Sequence, residues 1–492
     1  MTYDPRAPVL VGAGQVLQRL ESEVGALDPL GLMEEAARRA AFDARCPALL
    51  ARLDSIRVPK GLWPNANPAH TLGTRLGAPG AETALAPISG NMVQRMISDG
   101  AREILAGVRD AVLVVGAEAE RSKRRAKRAG REIAWDVPDA PAPDRSFGDT
   151  QRGVTDDEIA IGLIQPAAIF ALYENAMRHA RGESLEAHRD RIARLWHGFA
   201  RVAEQNPDAW TREAPSAEAI RDESADNRMI SYPYTKRLCA NMVVDLGAAV
   251  LLCSAQLADE LGIPRDRWVF LQTATDCMAT PALSNRMDFR SVPALELAGR
   301  RALELAGKEP ADFAHVDLYS CFPAAVQVAA RALGFSLETP LTVTGGLAYA
   351  GAPLNSYVLH SIATMMNRLR AAPGTTGLVS SVGGTFEKHA FGIYSTEPAV
   401  QGFQYADLDP EASKLPTRES IRRHEGDVAI ETYVLGYENG APARAGMACL
   451  LDDGRRTWVK TEDRATLSEM LTRETCGRRA HIGSGELKNF ID

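Results

Sequence analysis

The stretch "VTGGLAYAGAPLNSY", Val343–Tyr357, has the build of an active-site loop with the chemistry left out. Gly345, Gly346 and Gly351 let a backbone turn tightly and approach a ligand closely. Between Gly345 and Pro353 there is no acid, base or thiol, and Tyr349 is the only polar side chain.

Three further segments carry residues that matter to the chemistry. They are "APISGNMVQ" (Ala86–Gln94), "DLYSCFP" (Asp317–Pro323) and "SSVGGTFEKHAFG" (Ser380–Gly392). Around them the chain alternates strands and helices. "APVLVGAGQV" (Ala7–Val16) is an apolar run closed by glycines, hence a buried strand. "DPLGLMEEAARRAAFDA" follows as a helix, with Asp28 as N-cap and Pro29 at its first position. "LDSIRVP", "ETALAPISGN" and "DAVLVVGAEAE" read as further strands, with a helix from Asn91 to about Ala106. Such alternation implies a parallel or mixed sheet with helices on both faces.

From about Glu120 to Tyr234 the texture becomes polar and helical, with Trp135, Trp196 and Trp210 spread through it. Its first helix, "RSKRRAKRAGR" (Arg121–Arg131), carries seven basic residues and is either a solvated face or a phosphate-binding patch. The strand–helix pattern resumes at "MVVDLGAAVLLCSAQLADELGIP" (Met242–Pro264), and the second set echoes the first. "RWVFLQTAT" stands where "APVLVGAGQ" stood, and "GLVSSVGG" where "AVLVVGAE" stood, so two similar halves are expected. After about Val400 come β-rich runs with turn signals at Asn439-Gly440 and Asp453-Gly454, preceded by the lead-in "SKLPTRESIRRHEG" (Ser413–Gly426).

Composition narrows the function classes. A net charge of −7 over 492 residues does not suit a protein that coats nucleic acid. The seven cysteines include no CxxC pair, which argues against a zinc ribbon and fits reduced thiols in a cytosol. The N-terminal stretch has no signal-peptide pattern and no apolar run reaches membrane-spanning length, so a soluble cytoplasmic protein is expected.

In order and spacing, the four segments and "VVDLGAAVLLCS" (Val243–Ser254) resemble the catalytic loops and the Asp-Gly-Ala-Ala-rich strand of the thiolase superfamily. The resemblance spans about residues 5 to 400. It implies an α/β chain with the five-layer αβαβα arrangement of two mixed sheets. Residues 1–264 would form the N-terminal half, with a helical loop region at about 120–235, and 265–400 the C-terminal half. Residues 413–492 would add a small antiparallel, OB-like β-barrel. That appended module is most similar to the thiolase-like type 1 group.

The same resemblance shows what is missing. The acylated cysteine, whose thiolate a helix N-terminus favours, falls on Gly90, and no cysteine lies between Cys46 and Cys239. The histidine that activates the thiol falls on Ala352, the second cysteine near Ser381, and the oxyanion-hole residue on Tyr319. A standard cysteine-based thiolase reaction is therefore not expected.

The residues left to act are Tyr319, His389, Cys321 and Ser89. Tyr319 could hydrogen-bond a carbonyl or move a proton, as the tyrosines of the family's steroid side-chain aldolases imply; otherwise it is a packed aromatic. His389 could fold back as the missing base. Cys321 would be a displaced nucleophile or an inert core thiol. Ser89 and Asn91 could simply cap the helix. Backbone amides near Gly90, Asn91, Ser381, Gly383 and Gly384 could receive a thioester oxygen, with Tyr349, Ala352 and Asn355 lining the pocket and His360 packed.

Arg124, Arg128 and Lys388 are the candidates for coenzyme A phosphates, Lys388 alternatively facing solvent. The expected ligand is coenzyme A or an acyl-CoA, with no covalent cofactor, metal, nucleic acid or membrane. The expected activity is cysteine-independent C–C bond chemistry, by retro-aldol, retro-Claisen or condensation steps. The alternative is a catalytically inactive acyl-CoA binder or partner subunit. A homodimer, the family's default, would use the edge near "ETALAPISGN"; the type 1 resemblance leaves a monomer open.

Overall fold

Gly12 and Gly14 show how the first layer forms. Each lies on the strand Pro8–Leu17, and a Cβ on either would sit 2.1 Å from a backbone oxygen of the helix Pro29–Asp43. Only glycine lets that helix lie so close to the sheet. The helix starts as its sequence requires, with Asp28 accepting a hydrogen bond from the Gly31 amide and Pro29 in the first turn.

The computed structural model describes residues 3–20, 25–133, 135–148, 153–280 and 282–491. The internal echo in the sequence is an echo in topology. In the N-terminal half, Ser55–Pro59 runs parallel to Ala111–Ala119, which is antiparallel to Asp245–Ser254, which is antiparallel to Pro8–Leu17. In the C-terminal half, His315–Asp317, Thr376–Gly383, Lys388–Ser395 and Val269–Met278 repeat that pattern in the same order. The halves meet where Val9 and Leu10 pair with Phe270 and Val269, so their strands form one hydrogen-bonded path.

The helices Met92–Leu105 and Tyr357–Ala371 pack on strands of both halves and form the middle layer. Pro29–Asp43 and Pro68–Leu76 cover one outer face. Pro293–Ala306 and Pro323–Leu333 cover the other. This is the five-layer order expected. Met92–Leu105 buries Met92, Val93, Met96, Ile97, Ala101 and Ile104, and is held in place by the buried Arg57, which bonds the Met96 carbonyl and pairs with Asp99 and Glu103.

The N-terminal edge differs from the expectation of a free dimerisation strand. Glu82–Ala86 is covered within the chain by Arg145–Ser146, paired parallel, with the Thr83 amide donating to Asp144 and the Phe147 amide to the Leu85 carbonyl.

The C-terminal module closes on itself. Gly426–Glu438, Ala441–Leu450, Arg456–Thr461, Glu486–Phe490 and Arg479–Gly483 pair in that order, and the last returns to the first. The helix Arg464–Met470 lies between the third and fourth strands in sequence. Asn439 and Gly440 both have positive φ, the geometry their turn signal predicts. Two departures stand out. The closing pair, Lys460 with Glu486, is parallel, because closing a short ring in this order brings two like-directed strands together. The ring also takes an extra strand, Met229–Tyr232, from the helical region. The lead-in is no free tether: the Arg418 amide bonds the Asn285 carbonyl and the Ile421 amide bonds the carbonyl of Arg456, whose buried side chain bonds the Ser284 carbonyl while paired with Glu431. Among the described residues, no helix is long and apolar enough to cross a membrane.

Candidate functional site

Gly90 lies between the strand Glu82–Ala86 and the helix Met92–Leu105, where a nucleophile could have stood. A Cβ built on Gly90 would sit 2.6 Å from the Tyr319 hydroxyl oxygen and 2.4 Å from the Val382 carbonyl oxygen. The phenol of Tyr319 therefore takes the space into which a cysteine side chain would grow. The opposing turn is equally tight. A Cβ on Gly383 would sit 2.0 Å from Ser89 Oγ and 2.5 Å from Asn91 Oδ1. Gly90 and Gly383 are glycines because two turns, one from each half, touch here.

The capping expectation for Ser89 and Asn91 does not hold. Asn91 makes no side-chain cap bond; Ser89 Oγ donates to Asn91 Oδ1 at 2.6 Å, and both side chains are buried against Gly383. A hydroxyl so engaged is poorly placed as a nucleophile.

Tyr319 is 8% exposed. Its amide donates to Ser380 Oγ at 2.9 Å, and its ring meets Tyr357 edge-on with centroids 5.6 Å apart. Burial, with Cys321 beside it, pushes the phenol well above its ordinary value. Tyr319 is thus an O–H donor at neutral pH and a poor base. Burial likewise pushes the Cys321 thiol up, and its carbonyl accepts from the Ala240 amide at 3.1 Å. It lacks the thiolate character a nucleophile needs.

His389 is not brought to Gly90. It pairs with Val382 across an antiparallel ladder, so the two side chains leave the sheet on one face, while Gly383, the next residue, turns the other face to Ser89 and Asn91. Its ring packs on Phe386, with centroids 5.6 Å apart. Neither ring nitrogen makes a hydrogen bond of ordinary geometry. Burial, then the Arg286 charge, pushes His389 down to about 3, so it is neutral and weakly basic.

Ser381 is buried and donates to the Ala390 carbonyl at 3.0 Å. Gly384 has φ +63°, and a Cβ there would collide with the Glu387 carboxylate. Ala352, where a base would fall, is buried with its amide on the Asn241 carbonyl at 2.9 Å. Tyr349 is buried with its hydroxyl unpartnered, Asn355 donates to the Lys60 carbonyl, and His360 is packed as expected with Nδ1 2.7 Å from Gln15 Oε1. Lys388 corrects its expectation: it is buried in the strand between Gly383 and Met278, because its register sets it inside the sheet rather than at a loop tip. Arg124 pairs with Glu120 at 2.6 Å, and Arg128 is exposed on the same helix, Glu120–Arg128.

The loop that opened the sequence reading is shaped by residues the reading missed. Asp317, fully buried, accepts from the Val343 amide at 2.9 Å, from Thr342 Oγ1 at 3.0 Å and from Ser361 Oγ at 2.9 Å. Thr344 Oγ1 and the Tyr357 hydroxyl lie 2.7 Å apart, and the Leu347 amide donates to Ser320 Oγ. The glycines are required by this packing. A Cβ on Gly345 would strike the backbone of Ala203, and one on Gly346 would strike Phe199 and Ser320. Asp317 had one signal in the sequence, an acid ending a buried strand directly before Tyr319.

Among the described residues, no cluster of histidine, cysteine and carboxylate side chains could hold a metal ion. No family model matches the chain, and no curated protein matches it in sequence. Solved structures do match. A monomeric SCP2-thiolase like protein type 1 from Mycobacterium smegmatis shares 29% identity over 99% of both chains, with a TM-score of 0.83. The Ltp2-ChsH2(DUF35) aldolase shares 19% identity over 80% of this chain and 98% of that one, with a TM-score of 0.60. Human mitochondrial 3-ketoacyl-CoA thiolase in complex with CoA shares 16% identity over 80% of this chain and 99% of that one, with a TM-score of 0.56.

Proposed function

We propose that this chain, which has the thiolase-like fold, binds an acyl-CoA and works on it without forming an acyl-enzyme. One observation carries the reading: the Tyr319 hydroxyl stands 2.6 Å from where a Cβ of residue 90 would be. A group there donates a hydrogen bond to a thioester oxygen instead of attacking its carbon. That contact strengthens as negative charge builds on the oxygen, as it does when a C–C bond beside the thioester breaks or forms. The reaction class is retro-aldol, retro-Claisen or condensation chemistry, with Tyr319 as hydrogen-bond donor. The aldolase with which this chain shares its fold makes that class reasonable, by analogy alone.

A second reading is an acyl-CoA binder without turnover. Its support is that Tyr319 and Cys321 are held protonated and His389 lies on the opposite face of its strand. In either reading the covered edge of the N-terminal half favours a monomer.

Incubation with a panel of β-hydroxyacyl- and β-oxoacyl-CoAs, followed by product analysis and intact-protein mass, separates the two. Products without a protein adduct support the enzyme; binding without products supports the binder. Absence of binding removes both.

A further inference from the structure

On the far side of the emptied loop, the helix Glu120–Arg128 and Trp210 enclose a cavity of about 330 Å³, lined by Arg121, Arg124, Arg125, Arg128, Trp210 and Val243. Among the described residues, its cations outnumber their counter-charges. Glu120 pairs with Arg124, but Arg121 and Arg125 both donate to the Leu20 carbonyl, and no carboxylate among the described residues pairs with either or with Arg128. Arg19 joins the same cluster. Its guanidinium lies 5.4 Å from the Trp210 ring centroid and that of Arg121 lies 5.6 Å from it. Arg19 donates to the Ala209 carbonyl, and burial with Arg212 and Arg121 nearby pulls it below its ordinary value.

Guanidinium groups in excess of the described carboxylates repel one another, and an anion relieves this. Guanidinium forks match phosphate oxygens, and an indole face with cations beside it accepts a flat ring. The cluster is also built into the fold. The Trp210 amide donates to the Ala350 carbonyl and the Thr211 amide to the Tyr349 carbonyl, while Asn241, near Val243, bonds the Leu347 and Ala352 backbones. The groove therefore lies against the loop whose Leu347 amide bonds Ser320, next to Tyr319.

We propose that this groove is a binding site for a small molecule bearing a diphosphate or several phosphates. The proposal does not depend on the acyl-thioester reading, because the groove is separate from Gly90 and Tyr319.

Calorimetry with inorganic pyrophosphate on the full chain tests it. Pyrophosphate should bind, and Arg124→Glu with Arg128→Glu should weaken binding at least ~10-fold, as loss of two charge-assisted contacts would. Both residues are exposed on the helix surface, so an unchanged melting temperature shows that the variant is folded. Trp210→Phe serves as a second variant and should remove the change in tryptophan fluorescence that pyrophosphate causes. Competition identifies the source of the phosphates. Displacement of pyrophosphate by coenzyme A assigns the groove to that cofactor's phosphates; coenzyme A binding without displacement assigns it to a different phosphorylated molecule. No pyrophosphate binding, or equal affinity in the charge-reversed variant, overturns the proposal, whereas failure of the thioester reading shows separately as Tyr319→Phe leaving acyl-CoA affinity and turnover unchanged.

Discussion

Asp317 and Tyr319 are two residues apart and sit in opposite surroundings. Asp317 is buried in a cage of amides and hydroxyls from Val343, Thr342 and Ser361. Tyr319 directs a hydroxyl at Gly90 with no hydrogen-bond partner among the described residues. One end of the segment is saturated and holds the loop in place; the other keeps a polar group unspent. The polar groups that fix the loop are satisfied internally, whereas an unsatisfied hydroxyl, as at Tyr319 in the proposed reading, is one that a ligand can meet.

Breaking the saturated end should cost most. Asp317→Ala leaves several buried donors unpaired and should destabilise the fold by about 3–5 kcal/mol, measured by urea unfolding. Placing a cysteine at residue 90 should not create a nucleophile. Gly90→Cys forces atoms against Tyr319 and the Val382 carbonyl, so it should cost about 1–3 kcal/mol and give no acyl adduct by mass. Gly90→Cys combined with Tyr319→Phe sharpens this test, because the clash with the Val382 carbonyl remains.

The histidines give a pH effect of intermediate size. His389 and His360 are both pushed down to about 3 by burial, against about 6.5 in an unfolded chain. At pH above 6.5 both states are neutral. As pH falls below 6.5 the unfolded state takes up protons that the native state refuses, so stability declines progressively toward pH 3. Each histidine should contribute about 2 kcal/mol of loss between pH 6.5 and pH 5. His389→Phe should remove its share of that slope in denaturant titrations at the two pH values. The smallest structural effect is expected at the unsaturated end: Tyr319→Phe should change stability by less than about 1 kcal/mol while weakening acyl-CoA binding or turnover about 10-fold.

Most of the fold could be read from the sequence because its signals are local. Apolar runs closed by glycines gave the strands, Asp28 and Pro29 gave a helix start, Asn439-Gly440 gave a hairpin, and the echo of "AVLVVGAE" in "GLVSSVGG" gave the repeat. The site was legible as a set of segments and illegible as geometry. His389 follows Gly383 closely in sequence, yet its pairing with Val382 sends it to the wrong face, and only the register decides that. The glycines of Val343–Tyr357 looked like a ligand cradle because the residues they meet, Phe199 and Ala203, lie on a helix far back in the chain. Lys388 and the sheet edge at Glu82–Ala86 misled for the same reason: the neighbours that bury them are distant in sequence.

The measurement that tests the central claim most directly is acyl-CoA binding and turnover by the native chain and by Tyr319→Phe, with intact-protein mass recorded at each time point. The expected result is binding by the native chain, no covalent adduct at any time, and a loss of about 10-fold on removing the one hydroxyl. An acyl adduct on the native protein, or a Tyr319→Phe variant equal to it in both affinity and products, would contradict the account.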